Sequence, residues 1–340
     1  MTIRKIYDIL KISKVKNKNK GEKTMKKTVN REHIEGYLFE HKLEVKTCGP
    51  TSKTPGAQYI AGTLDVAVDE EGMNVLQTHF TFVSPTFSSG KTNNTYGVLK
   101  KIIESGKTFV EAGKDATKVS IDTALALNDF YTDGDEGLEL VSAKRNEGGF
   151  VSIVSALNPN VDKRHTFQLD MVITKVTRID ANEERETPER VDIKGVIFNF
   201  RNEILPVVLT STDEGGMDYF EGLDATNENP VFTQVTGLIN NVVTKSKREV
   251  AGAFGGVKVD EVSRSFKEWN VDWAAPEPYA FGEEGILTMD ELQKAAQDRQ
   301  TMLAAEKART EEYRASRNSG NASATKPAAS TVPKGSFTDF

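Results

Sequence analysis

The chain has 340 residues, of which 37% are hydrophobic, enough for two ordinary domains with sizeable cores. A single cysteine, Cys48, and four scattered histidines exclude an internal disulfide framework and a four-thiolate zinc site. Residues 1–31 carry eleven Lys/Arg against two acids, a net of +9, which leaves −15 on the remainder of a chain whose net charge is −6; so acidic a body excludes gripping duplex DNA by charge alone, but not a groove with a few clustered cations.

Met1–Lys16 spaces Ile3, Ile6, Ile9 and Leu10 as one face of a helix, and Lys14–Lys27 is nearly polybasic. The arm lacks the apolar core of a secretory signal, and Met25-Lys26-Lys27 also reads as an ordinary start. Residues 1–31 are expected to form a basic, largely disordered arm.

A first block, assigned to 32–156, is strand-rich. Leu43–Thr47 reads as a strand, and Gln58–Val68 and Asn74–Val83 alternate with period two about an Asp69–Gly72 turn. Ser84–Thr92 is polar and flexible in composition. Tyr96–Ser105 has helical spacing with Thr95 as its cap. Strands are expected at Lys118–Ile121, Ala124–Tyr131, Leu138–Ser142 and Gly149–Val154.

The second block, 157–275, repeats the rhythm. Phe167–Ile179 is a long strand, Val191–Phe200 and Ile204–Thr210 form a hairpin, and Gly216–Leu223 is a short helix. Pro230–Val243 and Val259–Trp273 are strands around a Lys/Gly-rich loop at 244–258. Two or three long antiparallel strands, one helix, then two more strands is the element order of a small Greek-key barrel plugged by its helix. The fold class expected is therefore mainly β: two tandem OB-like five-stranded barrels, followed by an extended segment and charged helix (276–317) and a disordered tail (318–340). Thr288 with Glu291 forms the capping box of that helix. A single β sandwich has the same local pattern.

Chemistry is thin. The acids at Asp180/Glu183/Glu184/Glu186 sit in a Pro-containing loop, and Asp213/Glu214/Asp218 flank a helix start, where acids complement the helix dipole. There is no phosphate-binding Gly-rich loop in strand-to-helix context, and Cys48 has no nearby histidine in sequence. No enzyme, metal or cofactor is expected.

Binding chemistry does better. Single strands are held by aromatic platforms under the bases and cations along the backbone. The residues that offer this are Tyr59, Phe82, Phe87, Lys91, Tyr96, Lys100, Lys144 and Arg145 in the first block. In the second they are Phe200, Arg201, Lys247, Arg248, Arg264, Phe266 and Trp269. Phe80, Phe109, Phe150, Phe167, Phe232 and Trp273 are assigned inward. At the C-terminus, Phe337, Asp339 and Phe340 end a Ser/Ala/Thr/Pro tether and suit a shallow apolar pocket with a basic rim.

Paired barrel-like blocks, a spacer and a terminal Asp339-Phe340 resemble the single-stranded DNA-binding proteins, particularly those of bacteriophages. Gln58–Ala67, Leu125–Tyr131 and Phe232–Ile239 look like strand text of that family. The resemblance implies sequence-nonspecific binding and protection of single-stranded DNA in the cytoplasm, that of the host if phage-encoded. It also implies recruitment of replication, recombination or repair proteins through Asp339 and Phe340. The tip departs from the bacterial pattern in having one acid rather than several, and the chain is about twice the usual length. No membrane partner is expected, and self-association and the choice between DNA and RNA stay open. The competing readings are a virion or other structural protein built from β domains, and a replication or recombination accessory factor acting through protein contacts.

Overall fold

The computed structural model describes residues 28–134, 137–183, 187–251 and 257–318, with side chains described outside 242–266 and 317–318. The first unit is built by β1 (Asn30–His41), β2 (Glu44–Thr47), β3 (Gln58–Ala67), β4 (Val75–Val83), α1 (Asn94–Ser105), the one-turn α2 (Phe109–Ala112), β5 (Lys118–Gly134) and β6 (Gly137–Ile153). Strand β3 pairs antiparallel with β1 and β4, β4 runs parallel to β6, and β6 and β5 return antiparallel to β1. That closes a five-stranded ring in the order β1-β3-β4-β6-β5, with β2 added to the β3 edge.

The second unit has β7 (His165–Ile179), β8 (Arg190–Phe198), β9 (Ile204–Ser211), α3 (Glu214–Gly222), β10 (Val231–Ala251) and β11 (Val257–Ala274). Its ring closes in the same order: β7-β8-β9 antiparallel, β9 parallel to β11, and β10 pairing both β11 and β7. Both rings therefore have the first-second-third-fifth-fourth strand order of the OB barrel, with the helix between the third and fourth strands. They are joined by antiparallel pairing of β1 with β7, from Asn30↔Leu169 to Ile34↔His165.

Period-two alternation fills both interiors. Ile60, Leu64, Val66, Leu76 and Phe80 meet Leu99 and Ile102 of α1, while Ile193, Val207, Leu209 and Val235 meet Met217 and Phe220 of α3. Each helix covers one end of its barrel and buries the face the strands leave open. Register shifts bend the long strands, and at two of them a glycine meets backbone. At Gly62 (φ +137) an added Cβ would lie 2.0 Å from Lys42 O, and at Gly149 (φ +102) 2.0 Å from Asp122 O, so only glycine fits.

Several expectations change. Strand β1, twelve residues long, falls partly on the segment expected to be disordered. Its Glu32 and Gly36 interrupt the apolar alternation, and neighbouring charges hide the rest. The strands expected at 118–131 are one strand, as are those at 138–154, and the 244–258 loop is mostly continuing strand, because β10 runs to Ala251 and β11 restarts at Val257. The α1 cap is Asn93, whose Oδ1 accepts from Thr95 N at 3.2 Å, rather than Thr95. Phe150 and Trp273, assigned inward, are 67% and 49% exposed. The Gly148-Gly149 bulge reverses parity before Phe150, and the shift between Thr236 and Gly237 does so before Trp273.

The C-terminal helix α4 (Met289–Asn318) starts at the expected box: Glu291 Oε2 accepts from Thr288 N at 2.8 Å, and Thr288 Oγ1 from Glu291 N at 3.2 Å. Leu287, Leu292, Ala295 and Ala296 cover Val172, Val196, Phe198, Ile204 and Phe232 on the outer surface of the second barrel. Farther along, the buried Arg299 forks onto the Asp129 carboxylate (2.9 and 2.8 Å) and Tyr131 OH donates to Leu303 O (3.1 Å). Helix α4 thus braces the second barrel against the β5–β6 arm of the first.

Candidate nucleic-acid interface

The outer surface of the second and third strands is where an OB barrel meets oligonucleotides. In the first barrel that surface is β3–β4. Tyr59 and Phe82 stack there, ring centroids 4.5 Å apart and planes at 26°. Phe82 is 55% exposed, so the pair presents a flat apolar face to solvent rather than to a core. Lys46 lies directly across from Tyr59 in the β2–β3 register. Sequence reasoning missed it, although its place on a strand beside the Cys48–Ala57 loop was visible. Just past β4, Phe87 N donates to Lys91 O (2.8 Å) and Gly90 N to Phe87 O (2.9 Å), so the segment closes into a turn. It carries Phe87, 44% exposed, and the exposed Lys91.

The other expected residues divide. Tyr96 packs against the core from α1, and Lys100, exposed, sits 3.9 Å from Glu104. Arg145 is half-buried, paired with Glu147 (2.8 Å) and donating to Asn128 Oδ1 (3.1 Å). Phe200 and Arg201 stand on the β8–β9 turn, away from the Tyr59–Phe82 pair in sequence and in the other barrel. Lys247, Arg248, Arg264 and Phe266 lie on the long β10–β11 arms, where side chains are not described. Phe337, Asp339 and Phe340 fall outside the described residues.

Trp269 is a correction: it is 1% exposed and cannot offer a face to a base. Parity explains it, since Trp269 shares a strand face with the buried Val271 and with Lys267. It sits at the seam between barrels. Its Nε1 donates to Glu32 Oε1 at 2.6 Å, and Lys144 Nζ lies 4.6 Å from its ring centroid. Lys144 donates to Val208 O of β9 (2.7 Å), and Lys267 reciprocally to Gln77 O of β4 (3.1 Å). Each barrel's fifth strand thus sends a lysine to a third-strand carbonyl of the other. Lys144 is a staple between barrels, not a free cation.

Burial pushes the Glu32 carboxyl up to about 8, against the pull of the Trp269 N–H and of Lys267 and Lys144. Burial likewise lowers Lys144 and Lys267 to about 8. His79, half-buried on the β4 surface near Arg145 and Lys267, is lowered to about 4 and is neutral at neutral pH. Unfolded, Glu32 loses its proton near 4.5; folded, it keeps it to about 8. The folded state holds the extra proton between these values, so stability falls as pH rises from about 4.5 to about 8. Above that window the lysines act in the opposite sense. Glu32→Gln keeps an acceptor for Trp269 and is expected to flatten the denaturant midpoint between pH 5 and 7.5, whereas the native chain loses stability across it. A native midpoint that is flat over this interval would refute a neutral, buried Glu32.

Strand order, inserted helices and a solvent-facing aromatic pair define a tandem OB-barrel protein. The chain belongs to the YorF family, whose model matches residues 10–309. No curated protein matches it. Among solved structures, the chain is similar to a deletion mutant of the single-stranded DNA binding protein from Thermus aquaticus, at 8% identity and a TM-score of 0.40, over 76% of this chain and 98% of that one. A likeness at that level establishes neither fold nor function. Among the described residues no helix is long and apolar enough to cross a membrane, and no three His, Cys, Asp or Glu side chains converge as metal ligands.

Proposed function

We propose that this chain binds single-stranded DNA without sequence preference, covering and protecting it, and acts as a binding protein rather than an enzyme. The observation that carries this is the Tyr59–Phe82 stack on the outer β3–β4 surface, with Phe82 more than half exposed and Lys46 across from Tyr59 in register. Every base has a π-face, so a platform of this kind holds any sequence, while lysines beside it track the phosphates. A duplex hides its base faces and gains little from such a surface.

Fluorescence polarisation with a labelled oligothymidine tests this against a duplex of equal length. Binding at about micromolar affinity or tighter for the single strand, absent for the duplex, is expected. A structural protein instead uses its exposed aromatics, Phe150 among them, as subunit contacts. It would self-associate and ignore the oligomer.

The tail belongs to the same proposal: Asp339 and Phe340 recruit replication, recombination or repair proteins from the end of a tether of roughly 20 residues. Deleting 336–340 should leave the melting temperature unchanged and single-strand affinity equal or slightly tighter, while co-purification of such enzymes is lost. A much lower melting temperature would make the terminus a packed element and end the recruitment role.

A further inference from the structure

Between the barrels, where the chain enters β1, lies a cleft of about 690 Å³, within the about 300–1,000 Å³ common for sites that hold small ligands. One wall is β5 at Ala124–Leu127, the other is the β8–β9 turn, and Ala295 and Met302 of α4 close the back. Asn30 sets its width. Its Nδ2 donates to Leu125 O (2.9 Å) and Phe198 O (3.1 Å), and its Oδ1 accepts from Leu125 N (3.0 Å). One side-chain amide thus satisfies backbone groups of both barrels and holds the walls at a fixed separation.

The β8–β9 turn is equally ordered. Asn199 Oδ1 accepts from Arg201 N (2.9 Å) and Glu203 N (3.0 Å), and Asn202 takes a φ of 61°. On this held turn Phe200 is 76% exposed, with the Arg201 guanidinium 5.0 Å from its ring centroid. The ring contributes to neither core. Met302 faces the same cleft, 44% exposed, and Asp129 is already neutralised by Arg299. Arg31 and Arg201 are the exposed cations of the mouth, with the exposed Asp298 and with Glu203, which accepts from Asn199 Nδ2 (2.6 Å). One hydrogen bond ties the cleft's lining to β4: Thr81, next to Phe82 in the chain, donates to Glu147 Oε1 (2.5 Å), and Glu147 lines the cleft.

Resting on the single-strand reading above, we infer that this cleft is a second nucleobase subsite. A strand that has crossed Tyr59 and Phe82 turns one unstacked base against Phe200, and Arg201 and Arg31 hold the flanking phosphates. Aromatic stacking beside a guanidinium is the chemistry that recognises an extruded base of any identity.

Phe200→Ala and Met302→Glu, each at an exposed position, test this with oligothymidines of about 8 and about 30 nucleotides, bracketing the reach of a single barrel. Both variants should melt as the native chain does. Phe200→Ala should weaken the long oligomer by roughly 5- to 150-fold, the equivalent of one lost stack, and leave the short one unchanged. Met302→Glu should weaken the long oligomer in the same direction. If both variants bind the long oligomer within twofold of the native chain while Tyr59 and Phe82 remain essential, the cleft is off the path and only the further inference falls. Equal loss on both lengths also overturns it, by placing Phe200 within the primary face. If the native chain binds neither length, the single-strand reading itself falls.

Discussion

Trp269→Ala is expected to lower stability by about 3–5 kcal/mol, the range for deleting a large buried aromatic. The indole is 1% exposed at the seam, where β11 meets the start of β1. Its removal leaves a cavity between barrels, strips Glu32 Oε1 of its donor, and takes away the ring beneath Lys144. Glu32 Oε2 already lacks a partner, so the acid would be left without any hydrogen bond it now makes through its side chain. Trp269→Phe keeps an aromatic ring in the seam but loses the N–H and part of the indole's packing; it should cost less than the alanine change, with about 1–3 kcal/mol of it for a buried acceptor left unmet. Urea midpoints of the two variants and the native chain measure this order. A Trp269→Ala change below about 1 kcal/mol, well under the expected range, would return the indole to the surface and reopen its place as a stacking platform.

The second large effect is on binding. Tyr59→Ala combined with Phe82→Ala should weaken single-strand affinity by about 2–6 kcal/mol, at about 1–3 kcal/mol per stacked base. The two rings also stack on each other, so the pair is expected to fall below the sum of the single changes. Phe82 is more than half exposed and, like Tyr59, belongs to none of the buried clusters, so melting should change little. Equilibrium titration of the double variant with oligothymidine gives the number. Affinity within twofold of the native chain, with an intact fold, would remove the β3–β4 surface from the interface.

Much of the fold was legible because the barrel strands obey their period. Gln58–Ala67 and Val75–Val83 alternate cleanly, a short acidic Gly turn joins them, and α1 carries Leu99 and Ile102 at helical spacing. Strand β1 was not legible, because its Glu32 is an acid that burial keeps neutral and whose hydrogen-bond partner lies 237 residues away. No local pattern announces that. The arms β5–β6 and β10–β11 read short because polar residues such as Asn128, Ser142 and Lys245 break the apolar alternation of the sequence.

The site was legible in part. Tyr59 and Phe82 are legible as aromatics on the central hairpin, where both strand faces carry apolar residues, and the structure brings them face to face. Trp269 was misplaced although parity with Val271 was available in the sequence. Sequence alone assigns Phe150 and Trp273 inward because bulges shift parity without altering composition. Lys144 looked like a groove cation, and only the reach of β6 across to Val208 reveals it as a staple.

Ultraviolet crosslinking of the full chain to oligothymidine, followed by peptide mapping, tests most directly whether a single strand lies on the first barrel. Crosslinks are expected in the peptides that contain Tyr59 and Phe82, lost on competition with unlabelled single strand but not with duplex. Absence of any competable crosslink, or crosslinks confined to surfaces away from β3 and β4, would contradict it.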